Sequence, residues 1–319
     1  MEGGRQRPAD EIEENAMSIR NLKTDILIVG SGPAGLTAGI YTARAGKKTL
    51  ILEGRSAPRL AVSYEIENYP GFPSIESREL LAKFRAHAVQ FGAEIVAGEA
   101  IAFGLESDPK YVTTKDSLIE AGAVILATGK PLPKERLVPG EEKFIGQGVS
   151  YCATCDGPLF RGADVLAIGH SEEAREDVMA LREMGCRVLW VPQKPRADMP
   201  EAEVSKIEDG GIAVRWGGKV KEIAGDQRVE KALIETDGKT EEVPLSAVFI
   251  FRDIPAGPLL GRAGLALDHK QCVAVDRFQR TNIAGVFAAG DITCGGLQVV
   301  AAAGEGCVAA LQALMFLRR

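Results

Sequence analysis

A chain of 319 residues, 45% hydrophobic and 26% charged, has the make-up of a globular protein large enough for two domains. Its net charge of −6 offers no general attraction to nucleic acid or to an anionic membrane, so neither is expected as a partner. No run approaches the ~20 apolar residues that span a bilayer, and residues 1–24 hold no apolar stretch suited to a signal peptide, so a cytoplasmic location is expected.

Residues 1–24, acidic and Pro-containing, read as a disordered leader within which Met17 offers a second start. The first strong unit is KTDILIVGSGPAGLTAGIYTARAGKKTLILEG, Lys23 to Gly54. Asp25–Val29 is a β-rich run, Gly30–Gly35 a turn, Leu36–Ala45 a helix with apolar spacing, and Thr49–Leu52 a second strand ending on Glu53. Strand, GxGxxG, helix, strand and acid in that order form the dinucleotide fingerprint. The turn of Gly30, Ser31, Gly32, Pro33, Ala34 and Gly35 lets backbone approach a pyrophosphate at a helix N-terminus, and Glu53 can accept from a ribose hydroxyl.

Farther along, AGAVILATGK (121–130) is a buried strand closing on the small turn at Thr128 and Gly129. DVLAIGHSEEAREDV (164–178) repeats the strand, glycine and helix pattern, but His170, Ser171, Glu172 and Glu173 stand where a phosphate turn needs small residues. CRVLWV supplies that unit's second strand. Near the end, GVFAAGD gives a strand closing on Gly290 and Asp291, with an Ala-rich helix from about Gln298. A ligand across these strand ends would meet Asp291 and the helix N-terminus. Residues 25–130 and 252–319 therefore read as one nucleotide-binding domain, with 131–251 as a related domain inserted into it.

Six cysteines in a chain this size do not make a disulfide scaffold. Only Cys152 and Cys155 form a CxxC. Cys186, Cys272, Cys294 and Cys307 are scattered, and a lone cysteine in apolar surroundings, such as Cys272 in KQCVAV, reads as a small buried hydrophobe. With His87, His170 and His269 far apart and no second CxxC, no metal site is expected.

GSGPAG at 30–35, EIENYPGFP at 65–73, ATG at 127–129, CATCDG at 152–157 and GVFAAGD at 285–291 stand in an order and at spacings that resemble low-molecular-weight thioredoxin reductases, over essentially everything after residue 24. The resemblance implies an α/β fold of two Rossmann-like, three-layer (ββα) domains, the second inserted in the first, and a homodimer. It also implies FAD in the first domain, contacted by the Gly30–Gly35 turn, Glu53, Asn68, Thr128, Gly129, Gly290, Asp291, Gln298 and Val299. Cys152 would exchange with a thioredoxin-like protein or small-molecule thiol, Cys155 would face the flavin, and Asp156 would move the proton. A CxxC lowers one thiol's pKa, the thiolate attacks, and a neighbouring carboxylate can serve the other sulfur as acid or base. Alternatively, Asp156 caps a turn before Gly157.

The chain departs from that family where NADPH would bind. A turn of the form GGG(D/N)(S/T)A becomes Gly169, His170, Ser171, Glu172, Glu173 and Ala174. A carboxylate about 4 Å from a phosphate costs several kcal/mol at a surface-like dielectric, unless the glutamates point to solvent as favourable helix-terminal charges. The HRR-type cluster that grips a 2′-phosphate becomes Pro192, Gln193, Lys194, Pro195 and Arg196, and the IGxxPN turn becomes FRDIPAG. On the FAD side, GGQL becomes Ala57, Pro58, Arg59 and Leu60, and Leu297 replaces the arginine before Gln298. The sequence thus predicts a flavoenzyme not driven by NADPH, somewhat more similar to diflavin-linked disulfide oxidoreductases. Trp190 and Phe251 offer planar faces, and Arg59, Arg252, Lys194 and Arg196 offer cations, for a second FAD. Taken alone, each ring reads rather as core packing and each cation as a solvated surface charge; only their coincidence with the altered NADPH motifs points to a second flavin. A ferredoxin-linked or ordinary NADPH-dependent thioredoxin reductase, or a flavin redox sensor, are the alternatives.

Overall fold

A computed structural model describes residues 19–54, 60, 65–130, 138–251 and 258–318, without the side chains of Cys155, Glu173, Glu203, Pro258 and Leu259. Met17, Arg59 and Arg252 lie outside the described residues.

In the first domain, β1 (Arg20–Val29), α1 (Pro33–Arg44), β2 (Thr49–Glu53), β3 (Glu65–Ile66), β4 (Ile75–Glu76), α2 (Ser77–Gln90), β5 (Glu94–Ala97), β6 (Ala102–Gly104), β7 (Lys110–Thr113) and β8 (Ser117–Leu126) follow in order. Strands run β5-β2-β1-β8-β7-β6 across the sheet. Alternation along the strands decides the layers. Ile26 and Ile28 of β1 and Ala123 and Ile125 of β8 face a helical layer, while Leu27, Val29, Val124 and Leu126 face the opposite side with Leu105 and Val112. The strand begins earlier than its apolar run: Arg20–Thr24 pair in parallel with Ser117–Ala121 of β8. Residues 20–24 are therefore strand rather than leader. Their RNLKT side chains are mostly exposed, so hydrophobic alternation could not show a strand made by backbone pairing.

The middle of the chain forms β9 (Val149–Ser150), α3 (Ala153–Asp156), β10 (Asp164–Ile168), α4 (Glu172–Glu183), β11 (Arg187–Val191), α5 (Glu201–Asp209), β12 (Ala213–Val214), β13 (Lys219–Ala224), β14 (Lys231–Thr236), β15 (Lys239–Pro244) and β16 (Ala247–Ile250). Its parallel sheet has the order β12-β11-β10-β16-β9, and β13-β14-β15 form a separate antiparallel sheet. Ala174, Val178 and Leu181, spaced to share one face of α4, pack with Val165, Trp190 and Phe249 on one side of the parallel sheet. Leu166, Ile168 and Val248 pack with Val220, Ile223 and Ile234 of the antiparallel sheet on the other.

The chain returns through α6 (Pro258–Arg262), β17 (Val286–Ala288) and α7 (Val299–Phe316). β8 is long enough to pair on the side away from β1 with β7 at Leu118–Ala121 and with β17 at Val124–Leu126. Thus β17 re-enters the first sheet directly beside the strand from which the chain departed, the geometry of an α/β insertion with two Rossmann-like layers. By length and composition α7 is apolar enough to cross a membrane. Its Ala302, Ala309, Ala310 and Ala313 instead pack in the core that holds Ala34, Ala38 and Ile40 of α1.

Candidate active site between the glycine turn and the CxxC helix

Gly30 sits at φ +119°, and a Cβ there would stand 2.1 Å from the Ala127 carbonyl oxygen. One on Gly35 would stand 1.9 Å from the Gly30 oxygen, so β1, α1 and the end of β8 close together only with glycines at both places. By contrast, nothing lies within 4 Å of a Cβ on Gly32. Gly32 is also the N-cap of α1, which has no capping side chain, Pro33 in its first turn and no acid there. An open backbone cradle at a helix N-terminus with no side chain competing for its amides fits a pyrophosphate. The residues present therefore fit the FAD expected here.

At the end of β2, Glu53 accepts a 2.5 Å hydrogen bond from Arg85 of α2. Burial pushes its carboxyl up, but hydrogen bonds from Arg85 and Ser31 outweigh that and hold it below the ordinary carboxylate range. It is an ionised acceptor where a ribose would lie. Arg85 was not legible from the motif, which specifies the acid but not its counter-ion.

Gly290, at φ +81°, comes so close to α1 that a Cβ would be 2.9 Å from Ala34 Cβ, which seats the Asp291 turn against the glycine turn. Glu305 of α7 braces that turn, accepting from the Gly290 amide at 2.7 Å and the Thr293 hydroxyl at 3.0 Å. Burial raises its pKa, the two donors lower it, and Asp291 raises it further. The turn ends at Gln298, the N-cap of α7, followed by Val299. Its side chain reaches in two directions: Oε1 accepts from Asn68 at 3.2 Å, while Nε2 donates to Thr154 Oγ1 at 2.9 Å and lies 3.9 Å from Cys152 Sγ. Asn68, Gln298 and Cys152, distant in sequence, are thereby joined.

The short helix α3 carries Ala153 through Asp156 directly after Cys152. Cys152 is disulfide-bonded and partly exposed, with Thr154 Oγ1 at 3.5 Å from its sulfur. Asp156 is only 5% exposed. Its carboxylate accepts a 2.5 Å hydrogen bond from Ser150, whose Oγ also accepts from the Cys152 amide at 3.2 Å. Burial pushes the Asp156 pKa up to about 6, against the lowering effect of Ser150. The 3-10 turn Gly157–Phe160 receives no side-chain cap from Asp156, which removes turn capping as the use of this carboxylate. A buried carboxyl titrating near neutrality beside a CxxC can give or take a proton. Ser150, at the last position of β9, was missed because a serine six residues before an aspartate carries no signal until α3 folds it back.

At the second glycine turn, only the first glycine keeps its structural role. Gly169 sits at φ +142° with room for no Cβ, which would stand 2.4 Å from the Phe251 oxygen. One amide of the helix start beyond it is taken by its own side chain: the Ser171 hydroxyl caps α4 by accepting from the Ala174 amide at 3.1 Å. His170 and Glu172 are exposed, so Glu172 is a solvated charge at the helix N-terminus.

Of the residues expected to wall a second flavin, Trp190 is fully buried, packs edge-on against Trp216, and donates from Nε1 to the Gly169 carbonyl at 2.8 Å. It is core, not a stacking platform, because β11 lies inside a parallel sheet covered on both faces. Phe251 is buried and stacked on Phe249. Arg196 is engaged by Glu201 at 2.9 Å and by Glu208 at 3.5 Å, and Lys194 is half-buried.

The cysteines bring another correction. Cys186 is a free buried thiol, but Cys272 is joined to Cys294, 22 residues later, with Cα atoms 5.9 Å apart. Cys272 is buried as expected. Its partner was unreadable because spacing alone does not reveal that the 272 loop lies against the Asp291 turn.

Residues 24–306 match the sequence model of the pyridine nucleotide-disulphide oxidoreductases. The chain is 37% identical over 302 residues to the thioredoxin reductase of Aquifex aeolicus, covering 92% of this chain and 93% of that one. The chain belongs to the thioredoxin reductase family. Among solved members of the family, the Streptococcus pyogenes thioredoxin reductase superposes with a TM-score of 0.85 at 32% identity, covering 93% of this chain and 99% of that one. The ferredoxin-flavin thioredoxin reductase of Clostridium acetobutylicum gives 0.51 at 32% identity, covering 94% and 99%. As a member of this family the protein is a flavin-dependent disulfide oxidoreductase, and the family implies FAD.

Proposed function

We propose that this chain is a thioredoxin reductase that carries two electrons between FAD in the first domain and the disulfide of a thioredoxin-type protein, through Cys152 and Cys155. The observation that carries this reading is Gln298, which starts the helix beside the FAD turn and touches the CxxC segment with the same amide. When bound, FAD supplies a two-electron store. The Gly30–Gly35 turn and the α1 N-terminus would hold its pyrophosphate, Glu53 a ribose, and the Asp291–Val299 segment the rest of the first-domain contact.

In the reduced pair, the Cys152 thiolate attacks one sulfur of the partner disulfide. A Cys152–partner bond forms, the partner's S–S bond breaks, and the departing sulfur takes a proton that Asp156 can provide. Cys155 then attacks Cys152 and releases the second partner sulfur. The partner gains two electrons and two protons, and the pair is left as a disulfide. The dithiothreitol test is direct: this dithiol should reduce the flavin through Cys152 and Cys155. A Cys155→Ser protein that still bleaches at the wild-type rate would refute the route.

For the donor, the family description favours a pyridine nucleotide, and the ordinary NADPH-dependent enzyme is the primary reading. The expectation of NADPH independence finds no support in the comparisons. One observation favours a second reading: the Ser171 cap occupies an amide at the very helix start where a pyrophosphate would bind. A donor other than a pyridine nucleotide, such as the ferredoxin-linked alternative, is that second reading. Anaerobic titration separates the two, since NADPH bleaches the flavin under the first and leaves it yellow under the second. With Trp190 in the core and Arg196 held by glutamates, one FAD per chain is proposed. Exposed Leu311 and Met315 on α7 favour a homodimer, and a thioredoxin-type partner favours the cytoplasm.

A further inference from the structure

The Cys272–Cys294 disulfide lies outside the CxxC chemistry, yet it fastens the turn on which the proposed site depends. Cys294 falls three residues after Asp291 and four before Gln298. Cys294 has φ 58° and ψ 19°, and Leu297 has φ 51°, left-handed conformations that non-glycine residues hold only where the surroundings impose them. On the other arm, Gln271 next to Cys272 has φ 59°. Backbone bonds also hold this turn: Val273 donates to the Ile292 carbonyl at 2.9 Å, Thr293 to Gly290 at 2.8 Å and Cys294 to Asp291 at 3.2 Å. Glu305 braces the turn from inside, bonding Gly290 and Thr293 and lying against Gly295, where a Cβ would stand 2.1 Å from its Oε1.

The two sulfurs also differ in access. Cys272 is 0% exposed, whereas Cys294 is partly exposed in a segment followed by exposed Gly295 and Gly296. An outside thiolate can therefore reach only Cys294. When Cys272 is released and protonated, the Lys270 carbonyl 3.6 Å from its sulfur stands ready to accept the S–H.

We propose that Cys272–Cys294 is a second thiol-exchange site, a clasp that a dithiol opens to loosen the Asp291–Gln298 turn and with it the hold on FAD and on the CxxC segment. One thiolate of the dithiol attacks Cys294 Sγ, forming a mixed disulfide and releasing Cys272 as a thiolate that takes up a proton. The second thiol then attacks the mixed disulfide, leaving Cys294 as a thiol and the dithiol as its own disulfide, so two electrons and two protons pass to the clasp. A reduced thioredoxin-type dithiol, the product of the proposed reaction, is the natural reductant by chemical class. In a reducing compartment, a disulfide of this kind is characteristically exchanged rather than idle. Opening it would let product slow its own formation. This inference rests on the FAD reading above for its flavin arm alone.

The test uses the full-length holoprotein in a Cys152→Ser/Cys155→Ser background, so that the clasp is the only disulfide available among the described cysteines. The protein is held anaerobically in oxidised or reduced dithiothreitol. Alkylation mass spectrometry reads Cys272 and Cys294, hydrogen exchange reads the Thr293 and Cys294 amides, and fluorescence reads FAD release. The proposal expects both thiols to become alkylated without denaturant, exchange at residues 290–298 to accelerate, and FAD release to quicken by ~10-fold, a factor worth 1.4 kcal/mol. Cys272→Ser/Cys294→Ser should show the fast behaviour in either buffer. A bond that resists reduced dithiothreitol until the protein unfolds, or one that opens with unchanged exchange at 290–298, overturns the proposal. A protein that never takes up FAD defeats the flavin reading instead, while alkylation and exchange still judge the clasp.

Discussion

Asp156→Asn keeps an oxygen to accept from Ser150 but removes the ionisable group, so it isolates what the buried charge costs the fold. In the native protein burial pushes the Asp156 pKa from 3.8 up to about 6. At 1.36 kcal/mol per pH decade, that rise amounts to about 3 kcal/mol. The sign follows from proton binding. Because the folded pKa lies above the unfolded one, the wild type keeps its full stability below about pH 3.8 and loses it as pH rises through about 6. The Asn variant carries no such loss. From pH 4 to pH 8 its stability advantage over wild type should widen by about 2 kcal/mol, other titrations cancelling between the two proteins. Urea unfolding of both at each pH, with unchanged denaturant slopes, reads this directly. The same variant should transfer electrons to a disulfide partner more slowly, since no group remains to give the proton. Parallel stability curves for the two proteins would refute the assignment of Asp156 as a buried, strained acid.

Breaking the clasp by Cys272→Ser/Cys294→Ser releases a loop of 22 residues and should lower stability by about 3 kcal/mol in the same unfolding assay. Gln298→Ala removes the amide shared by Asn68, Thr154 and Cys152, and should slow flavin reduction by dithiothreitol about tenfold in anaerobic stopped-flow while the protein stays yellow. Ser171→Gly frees the α4 amide it caps, and should tighten NADPH binding measured by calorimetry; unchanged affinity would remove the cap as the obstacle. Flavin released by denaturation should be one per chain under saturating FAD, and two would return Phe251 and Lys194 to consideration as a second site.

Features set by local backbone pattern show in the sequence, and features set by side chains meeting across the fold do not. The Gly30–Gly35 turn, β2 ending on Glu53, and the strand before Asp291 were all legible, because period and glycine spacing encode them locally. Arg20–Thr24 read as leader in the sequence because a polar strand paired through its backbone leaves no hydrophobic pattern. Trp190 taken alone reads as core, a second flavin is suggested only by the altered motifs around it, and its place within a covered parallel sheet makes it core. Ser150, Arg85, Glu305 and the pairing of Cys272 with Cys294 depend on elements meeting across long sequence separations, which one sequence does not show. At the second glycine turn the sequence shows which residues differ from the family pattern but not where their side chains go. Glu172 turns to solvent, and the Ser171 hydroxyl caps the Ala174 amide.

The electron route from the flavin to a protein disulfide is proposed to run only through Cys152 and Cys155. Its most direct measurement is anaerobic mixing of the dithionite-reduced flavoprotein with oxidised thioredoxin, following flavin absorbance together with free thiols on the thioredoxin. The flavin should reoxidise as two thiols per thioredoxin appear, and Cys155→Ser should abolish this coupled change. Reoxidation at the wild-type rate in Cys155→Ser, or a wild-type flavin that stays reduced before excess oxidised thioredoxin, would contradict it.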